Sequence, residues 1–261
     1  MITLLTAVGA VLGLLVGSFL NVVIYRVPRG KSVVRPRSRC TGCGHEIREL
    51  DNIPLLSWLL LRGSCRNCGE SISWRYPAVE ALTGVLFALM TWHIGLNWQL
   101  PAFLYLTAVG VALAFIDLDT KRLPDALTLP SYPVAAALLL LPAIFEDEWS
   151  SYVRALLGGL ALFTFYFILV LVYPRGMGFG DVKLAGVLGL YLGWLGWGVL
   201  VVGGFLGFLL GAVVGGGLML ASKAGRKTQI PFGPFMISGA LIAVFVGSNI
   251  AGWYTTTLFP A

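Results

Sequence analysis

Trp197-Gly-Val-Leu-Val-Val-Gly203-Gly-Phe-Leu-Gly207-Phe-Leu-Leu-Gly211-Ala-Val-Val-Gly215-Gly-Gly-Leu-Met-Leu220-Ala221 is the stretch that decides the fold: 25 consecutive residues, none of them charged. A bilayer core of about 30 Å asks about 20 apolar residues of a helix, so this run reads as a membrane span. Working outward, further apolar runs lie at roughly 3–25, 77–95, 100–117, 126–145, 152–173, 182–196 and 232–252. The expected fold is therefore an all-α polytopic membrane protein, a bundle of about eight transmembrane helices. Composition agrees, since 11% of the 261 residues are charged and mean hydropathy is +0.86, whereas soluble domains carry roughly a quarter charged residues. The long run from Leu184 to Leu220 must divide near Gly193–Gly198 into a short helix and a normal one. The first span reads as retained, because no basic residue precedes it and Arg26 and Arg29 follow it.

Cytoplasmic loops collect lysine and arginine, which orients the bundle. Ten lie from Arg26 to Arg75, two at Lys121 and Arg122, two at Arg175 and Lys183, and three at Lys223, Arg226 and Lys227, so 17 of 18 share one side. Arg154, beside the acidic loop Glu146-Asp147-Glu148, is the exception. Both termini are expected outside and the 50-residue loop after helix 1 inside. On this reading the net charge of +6 reflects topology and attraction to anionic lipid, with no nucleic-acid partner.

That loop holds all four cysteines, as Cys40-Thr-Gly-Cys43-Gly and Cys65-Arg-Asn-Cys68-Gly, two knuckles separated by 21 residues. Four thiolates so spaced can close tetrahedrally around Zn²⁺, each glycine permitting the tight turn. A reducing cytosol argues against two disulfides instead. His45 reads as a surface residue, since a complete cysteine quartet leaves it no vacancy. A closed quartet has no open coordination position, so the metal should be structural, stapling a loop too short to bury a core of its own. The expected organisation is transmembrane helix 1 over 1–25, a cytoplasmic zinc-binding domain over 26–76, and a membrane domain of about seven helices over 77–261.

Chemistry is sought among carboxylates at the ends of spans, where an acid near hydrocarbon is costly. Two clusters qualify on the cytoplasmic face: Ile116-Asp117-Leu-Asp119-Thr-Lys-Arg-Leu-Pro124-Asp125 and Gly176-Met-Gly178-Phe-Gly180-Asp181-Val-Lys183. Two carboxylates sharing a site cannot both ionise, so one keeps its proton and the pair works as base and acid together. That is aspartic peptidase chemistry. Glycines before Asp181 would let an extended substrate backbone approach closely, although the same segment also reads as a helix-start turn with Asp181 as its cap. Helical spacing puts Asp117 and Asp119 about 200° apart, so only one can face a site, and Asp125 is placed to cap the helix that follows.

The ordered set of motifs resembles the type IV prepilin peptidases, membrane aspartic proteases of the G-x-G-D class. Besides the two aspartate segments, Gly17-Ser-Phe-Leu-Asn-Val-Val-Ile-Tyr-Arg-Val-Pro28, the paired knuckles and Trp74-Arg-Tyr-Pro-Ala-Val-Glu80-Ala-Leu-Thr-Gly84 are similar to the bacterial branch, and the likeness covers nearly the whole chain. It implies Asp117 and Asp181 as the catalytic pair, with Gly178, Gly180, Asp119, Asp125 and Lys183 in support. It implies a multi-pass protein of the bacterial inner membrane that cleaves the basic leader from prepilins or pseudopilins of a type IV pilus or type II secretion system. It also implies a second activity, methylation of the new amino terminus from S-adenosylmethionine. No G-x-G loop of nucleotide-binding type is present for that donor. Glu80, at the membrane start of helix 2, is the candidate, and it reads equally as a helix-start acid favoured by the dipole.

Other readings stay open on the residues alone: a G-x-G-D intramembrane protease with another substrate and no methyl transfer, or a proton-coupled transporter. Transport predicts acids at mid-depth and inverted repeats, whereas these acids lie at helix ends and no repeat is visible. Gly203, Gly207, Gly211 and Gly215 make a smooth stripe for close packing that could also admit a substrate helix, and Gly13 and Gly17 repeat the theme on helix 1. Asn21 reads as an interhelical hydrogen-bond donor.

Overall fold

The computed structural model describes residues 1–174, 176–221 and 230–258. Four of the cations used for orientation, Arg175, Lys223, Arg226 and Lys227, lie outside the described residues. The helices are α1 (Ile2–Arg26), the short α2 (Leu56–Leu60), α3 (Arg75–Ile94), α4 (Leu100–Thr120), α5 (Asp125–Phe145), α6 (Trp149–Val172), α7 (Phe179–Leu195), α8 (Trp197–Leu220) and α9 (Gly233–Leu258). Every expected span therefore has its helix. Among the described residues seven are long and apolar enough to cross a membrane. The eighth, α7, has only 17 residues and is buried almost continuously from Val182 to Trp194. A helix apolar all round belongs inside a bundle, and α7 is that inner helix.

The chain forms two compact units, residues 1–100 with 107–112, and residues 101–106 with 113–261, so that α4 is divided between them. In the first, α1 lies along α3 at near-backbone distance. A methyl group on Gly13 would come 2.8 Å from Gly84 Cα and 2.7 Å from the Thr83 carbonyl, so no larger residue fits this crossing. Small residues take this role in membranes because helices there associate by close packing and not by escape from water. Asn21 Nδ2 donates to the Tyr76 carbonyl at 3.1 Å, the expected interhelical bond.

The loop between α1 and α3 is short of apolar core and is tied by polar links. Trp58 Nε1 donates to the Ile72 carbonyl at 3.0 Å, Arg26 reaches the carbonyls of Ser32 and Pro36, and Arg66 grips Asp51 through Nε and Nη2. That guanidinium holds the Asp51 carboxyl below its usual range.

In the second unit α6 crosses α7 just as closely, where a methyl on Gly158 would lie 2.7 Å from the Gly189 carbonyl and 2.8 Å from Gly193 Cα. The glycine stripe of α8 is filled by the protein itself. Gly203 faces Leu192 and Ala243, Gly207 faces Met236, Gly211 faces Phe232 and Gly215 faces Ile230, which leaves no groove for a substrate helix along it. Phe103 packs edge-on against Tyr191, with ring centroids 5.6 Å apart. Helix α5 tolerates Pro130 and Pro133 in its interior, and Thr128 and Ser131 hydroxyls donate to the Pro124 and Leu127 carbonyls nearby.

Arg154, the cation out of place by charge counting, closes the end of α7. Its Nε donates to the Gly193 carbonyl at 2.8 Å and its Nη2 to the Trp194 carbonyl at 2.7 Å, with Ser151 Oγ also in reach. Those carbonyls are at the negative end of the helix dipole and have no intrahelical donor. Replacing Arg154 by Ala should therefore cost about 2–4 kcal/mol, the loss of two charge-assisted bonds to part-buried acceptors, and thermal melting in detergent should shift down accordingly, with Arg154→Lys recovering part of the loss.

Candidate active site

Asp117 sits near the end of α4 and is buried, 4% exposed, while Asp119 two residues on is exposed. Helix α4 continues to Thr120, so the 200° separation expected from helical geometry holds in the folded chain. Asp181 is the third residue of α7, in its first turn. Both carboxylates belong to the second unit and are near enough to interact through their charges.

Each is pinned by one backbone amide. Gly178 N–H donates to Asp181 Oδ2 at 3.1 Å, and Gly233 N–H, at the start of α9, donates to Asp117 Oδ2 at 3.0 Å. Among the described residues neither Oδ1 has a hydrogen-bond partner. Leu123 ties the two segments together, because a methyl on Gly180 would lie 3.1 Å from its Cβ and one on Gly233 3.3 Å from its Cδ2. The two glycines of the G-x-G-D segment therefore differ. Gly180 is taken up by Leu123, whereas a methyl on Gly178 would meet only Asp181 Oδ2 at 3.6 Å and the Gly180 amide at 4.0 Å.

Asp125 does not cap its helix. Pro124 occupies the cap position without a side-chain bond, and Asp125 instead accepts from Lys183 Nζ at 2.6 Å. Lys183 also lies over the Phe179 ring at 5.2 Å, and its carbonyl accepts the Tyr132 hydroxyl at 2.7 Å. These bonds lock the start of α5 to the start of α7, so the loop after Asp117 and the turn before Asp181 are held as one piece.

In the first unit the two knuckles fold alike. Cys40 N–H donates to the His45 carbonyl and Gly44 N–H to the Cys40 carbonyl, and Cys65 with Glu70 and Gly69 repeats both bonds. Gly44 and Gly69 have φ of +70° and +73°, the left-handed conformation that glycine adopts without strain. All four sulfurs lie within 4.8 Å of one another, and Cys40 and Cys68 are 3.7 Å apart. Tetrahedral Zn–S bonds of about 2.3 Å separate sulfurs by about 3.8 Å, so the quartet fits a metal ion of that kind. Amides of Cys68 and Asn67 hold the Cys65 thiol down to about 7. Against the lowering pull of the Glu70 backbone, desolvation and the neighbouring thiols push Cys68 up to about 12. Four thiolates this close ionise together around a cation. His45 is exposed and outside the quartet.

The same unit has a cavity of about 1110 Å³, whose lining includes Asn21, Tyr25, Arg35, Trp58, Tyr76 and Glu80. Glu80 is 9% exposed and accepts the Leu55 N–H at 2.9 Å. It stands in the second turn of α3, past the reach of the helix-end dipole, so its burial is not that of a helix-start acid. Leu55 adopts φ +60° to deliver that amide.

Comparison with known proteins agrees over both units. Residues 11–94 match the bacterial peptidase A24 N-terminal domain and residues 104–220 the type IV leader peptidase family. A prepilin leader peptidase/N-methyltransferase of Stutzerimonas stutzeri is 40% identical, covering 94% of this chain and 91% of the relative. The chain belongs to the type IV leader peptidase family. Proteins of the same name from Neisseria gonorrhoeae and Myxococcus xanthus are 40% and 44% identical, over 89% and 84% of this chain and 88% and 65% of theirs. No solved structure matches.

Within this leader peptidase fold, Asp117, Asp119, Asp125, Gly178, Gly180, Asp181 and Lys183 fall inside the matched peptidase segment, and the four cysteines and Glu80 inside the N-terminal one. Sequence reasoning missed Gly233, whose signal was the helix-start pattern Pro231-Phe-Gly-Pro234, absorbed into an apolar span. It also missed the Lys183–Asp125 pair and the Leu55 amide, which join residues 58 and 25 positions apart. For the metal site, Cys40→Ser should abolish stoichiometric metal by elemental analysis and lower the yield of folded protein more than the specific activity of what remains. Unchanged metal content would remove the site.

Proposed function

We propose that this membrane protein is a prepilin leader peptidase that also methylates the amino terminus it creates. The observation that carries the reading is the pair of carboxylates in one unit, each held by an amide at a helix start and with no partner for its second oxygen among the described residues, in a chain alike over 94% of its length to an enzyme named for both activities.

Asp117 and Asp181 share one proton. The ionised carboxylate takes a proton from water as the water oxygen attacks the scissile carbonyl carbon, and the protonated partner donates to the carbonyl oxygen. Collapse of the tetrahedral species breaks the C–N bond, with a proton passing to the leaving amine. Water enters as H and OH across that bond, and the dyad returns to a single shared proton. The open side of Gly178 gives an extended backbone access to Asp181. The bond cut lies after a glycine at the end of a basic leader, where unwinding the substrate helix is least costly.

The second reaction belongs to the cavity of the first unit. S-adenosylmethionine, when bound, supplies an electrophilic methyl group. Glu80 takes the proton that the new α-ammonium must lose before its nitrogen can attack. The cavity suits such a donor: Arg35 answers its carboxylate, and Trp58 and Tyr76 supply aromatic lining. Zn²⁺ in the cysteine quartet is structural and holds the loop that forms the cavity wall, since Cys40 and Cys65 line it. The positions of Lys and Arg support an orientation with both termini outside and with the cysteine loop and the aspartates on the cytoplasmic side of the inner membrane. Transport is disfavoured, because Asp117 lies three residues from the end of α4 and Asp181 in the first turn of α7, not at mid-depth.

Purified protein in detergent, given a pilin-like precursor, tests this directly. Asp117→Asn and Asp181→Asn should each lower cleavage by about 10²–10⁴-fold while methylation of an already trimmed substrate persists. Glu80→Gln should do the reverse. Near-normal cleavage by either aspartate variant would reject the dyad, and normal methyl transfer by Glu80→Gln would remove that residue's role.

A further inference from the structure

Asp117 is held from outside its own helix. Its Oδ2 accepts from Gly233 N–H at 3.0 Å, across 116 residues of sequence, and the bond is buried. Gly233 is the first residue of α9, and the turn that delivers it, Pro231-Phe232-Gly233-Pro234, lies beyond the segment matched by the leader peptidase family. The turn is rigid: the Phe232 carbonyl accepts the amides of Phe235 and Met236, and the Phe232 ring packs against Phe208 with centroids 5.3 Å apart. Proline on both sides restricts it further. The amide of Gly233 is thus one of the unsatisfied donors at a helix start, and the Asp117 carboxylate is its acceptor.

There is no space for a side chain here. A methyl on Gly233 would lie 2.8 Å from Asp117 Oδ2, 3.4 Å from its Cγ and 3.3 Å from Leu123 Cδ2. Within the first distance something must move, and what lies there is the carboxylate itself. The arrangement mirrors the other half of the dyad, where Gly178 N–H holds Asp181 Oδ2 at 3.1 Å.

We propose that Gly233 is a positioning residue of the peptidase reaction: its amide fixes Asp117 Oδ2, so that Oδ1 alone is turned to the water and the scissile carbonyl. The inference rests on Asp117 being a member of the dyad. A donor aimed at one oxygen of a carboxylate sets the plane of the group, and misplacing a reacting group by about 1 Å costs about 10²-fold in rate. The effect is on the chemical step, so kcat carries it and KM does not.

Two substitutions perturb the contact to different degrees. Gly233→Ala keeps the N–H and pushes the carboxylate aside with its methyl, while Gly233→Pro adds the same carbon and also removes the N–H, at a helix position that accepts proline. Each is compared with wild type and Asp117→Asn for cleavage of a pilin-like precursor and for methylation of a trimmed substrate. The expected result is a fall in kcat of about 10²-fold in both Gly233 variants. KM should stay within about threefold, and methylation within about twofold, of wild type on the same scale. A kcat near wild type in either variant, with Asp117→Asn inactive, overturns the role of Gly233 and leaves the dyad standing. Equal losses of cleavage and methylation in both variants also overturn it, since Gly233 would then serve the fold. An active Asp117→Asn would reject the dyad instead.

Discussion

Holding two carboxylates together at the end of a membrane bundle is the constraint on which the second unit depends. Like charges in a low-dielectric site repel, and an unpaired carboxylate there is costly. The fold answers with helix starts. Asp181 stands in the first turn of α7 and Asp117 meets the first turn of α9, so each is offered a backbone N–H and the positive end of a helix dipole. Among the described residues no lysine or arginine is bonded to either carboxylate. A cation there would hold its aspartate ionised and remove the shared proton that the proposed mechanism asks of the pair.

Bringing those starts together requires helices to approach at backbone distance, and that explains much of the glycine in the chain. The contacts of Gly158 with Gly189 and Gly193 set α6 against α7, and those of Gly207 with Gly239 set α8 against α9. With α7 enclosed on nearly all sides, its position is determined by packing at every turn, and Arg154 fastens its far end. The Lys183–Asp125 pair and Leu123 then fasten its near end to the loop that follows Asp117. The turn that carries Asp181 is therefore rigid because the helix behind it cannot slide.

Most of the architecture was legible because it rests on local rules. Length and apolarity marked every span, including the awkward split at Gly196, and two C-x-x-C-G knuckles announced their own turns. Helical spacing showed that Asp117 and Asp119 cannot share one site, but only resemblance to a known family chose Asp117 between them. What escaped reading was non-local. Gly233 touches Asp117 across 116 residues, Glu80 takes its amide from Leu55, and Arg154 works on carbonyls of Gly193 and Trp194 about 40 residues away. Asp125 was expected to cap its own helix, a local bond, and the fold spends it on Lys183 instead. The stripe on α8 was read correctly as a packing surface, yet sequence carries no sign that α9 and Leu192 fill it.

The two units answer the same physical difficulty by different means. A loop of about 50 residues cannot bury enough apolar surface to fold alone, so the first unit draws on a cysteine quartet, the Arg66–Asp51 pair and the Trp58–Ile72 bond to fix the walls of its cavity. The second has apolar surface in abundance but must keep two acids in it, and draws on helix-end amides. In both, the carboxylate proposed for chemistry accepts a backbone amide delivered by residues under tight conformational control: Leu55 at positive φ for Glu80, and a glycine between Phe232 and Pro234 for Asp117. A backbone donor has no charge to neutralise the acid and no rotamer to lose, so it orients a carboxylate while leaving its proton free to move.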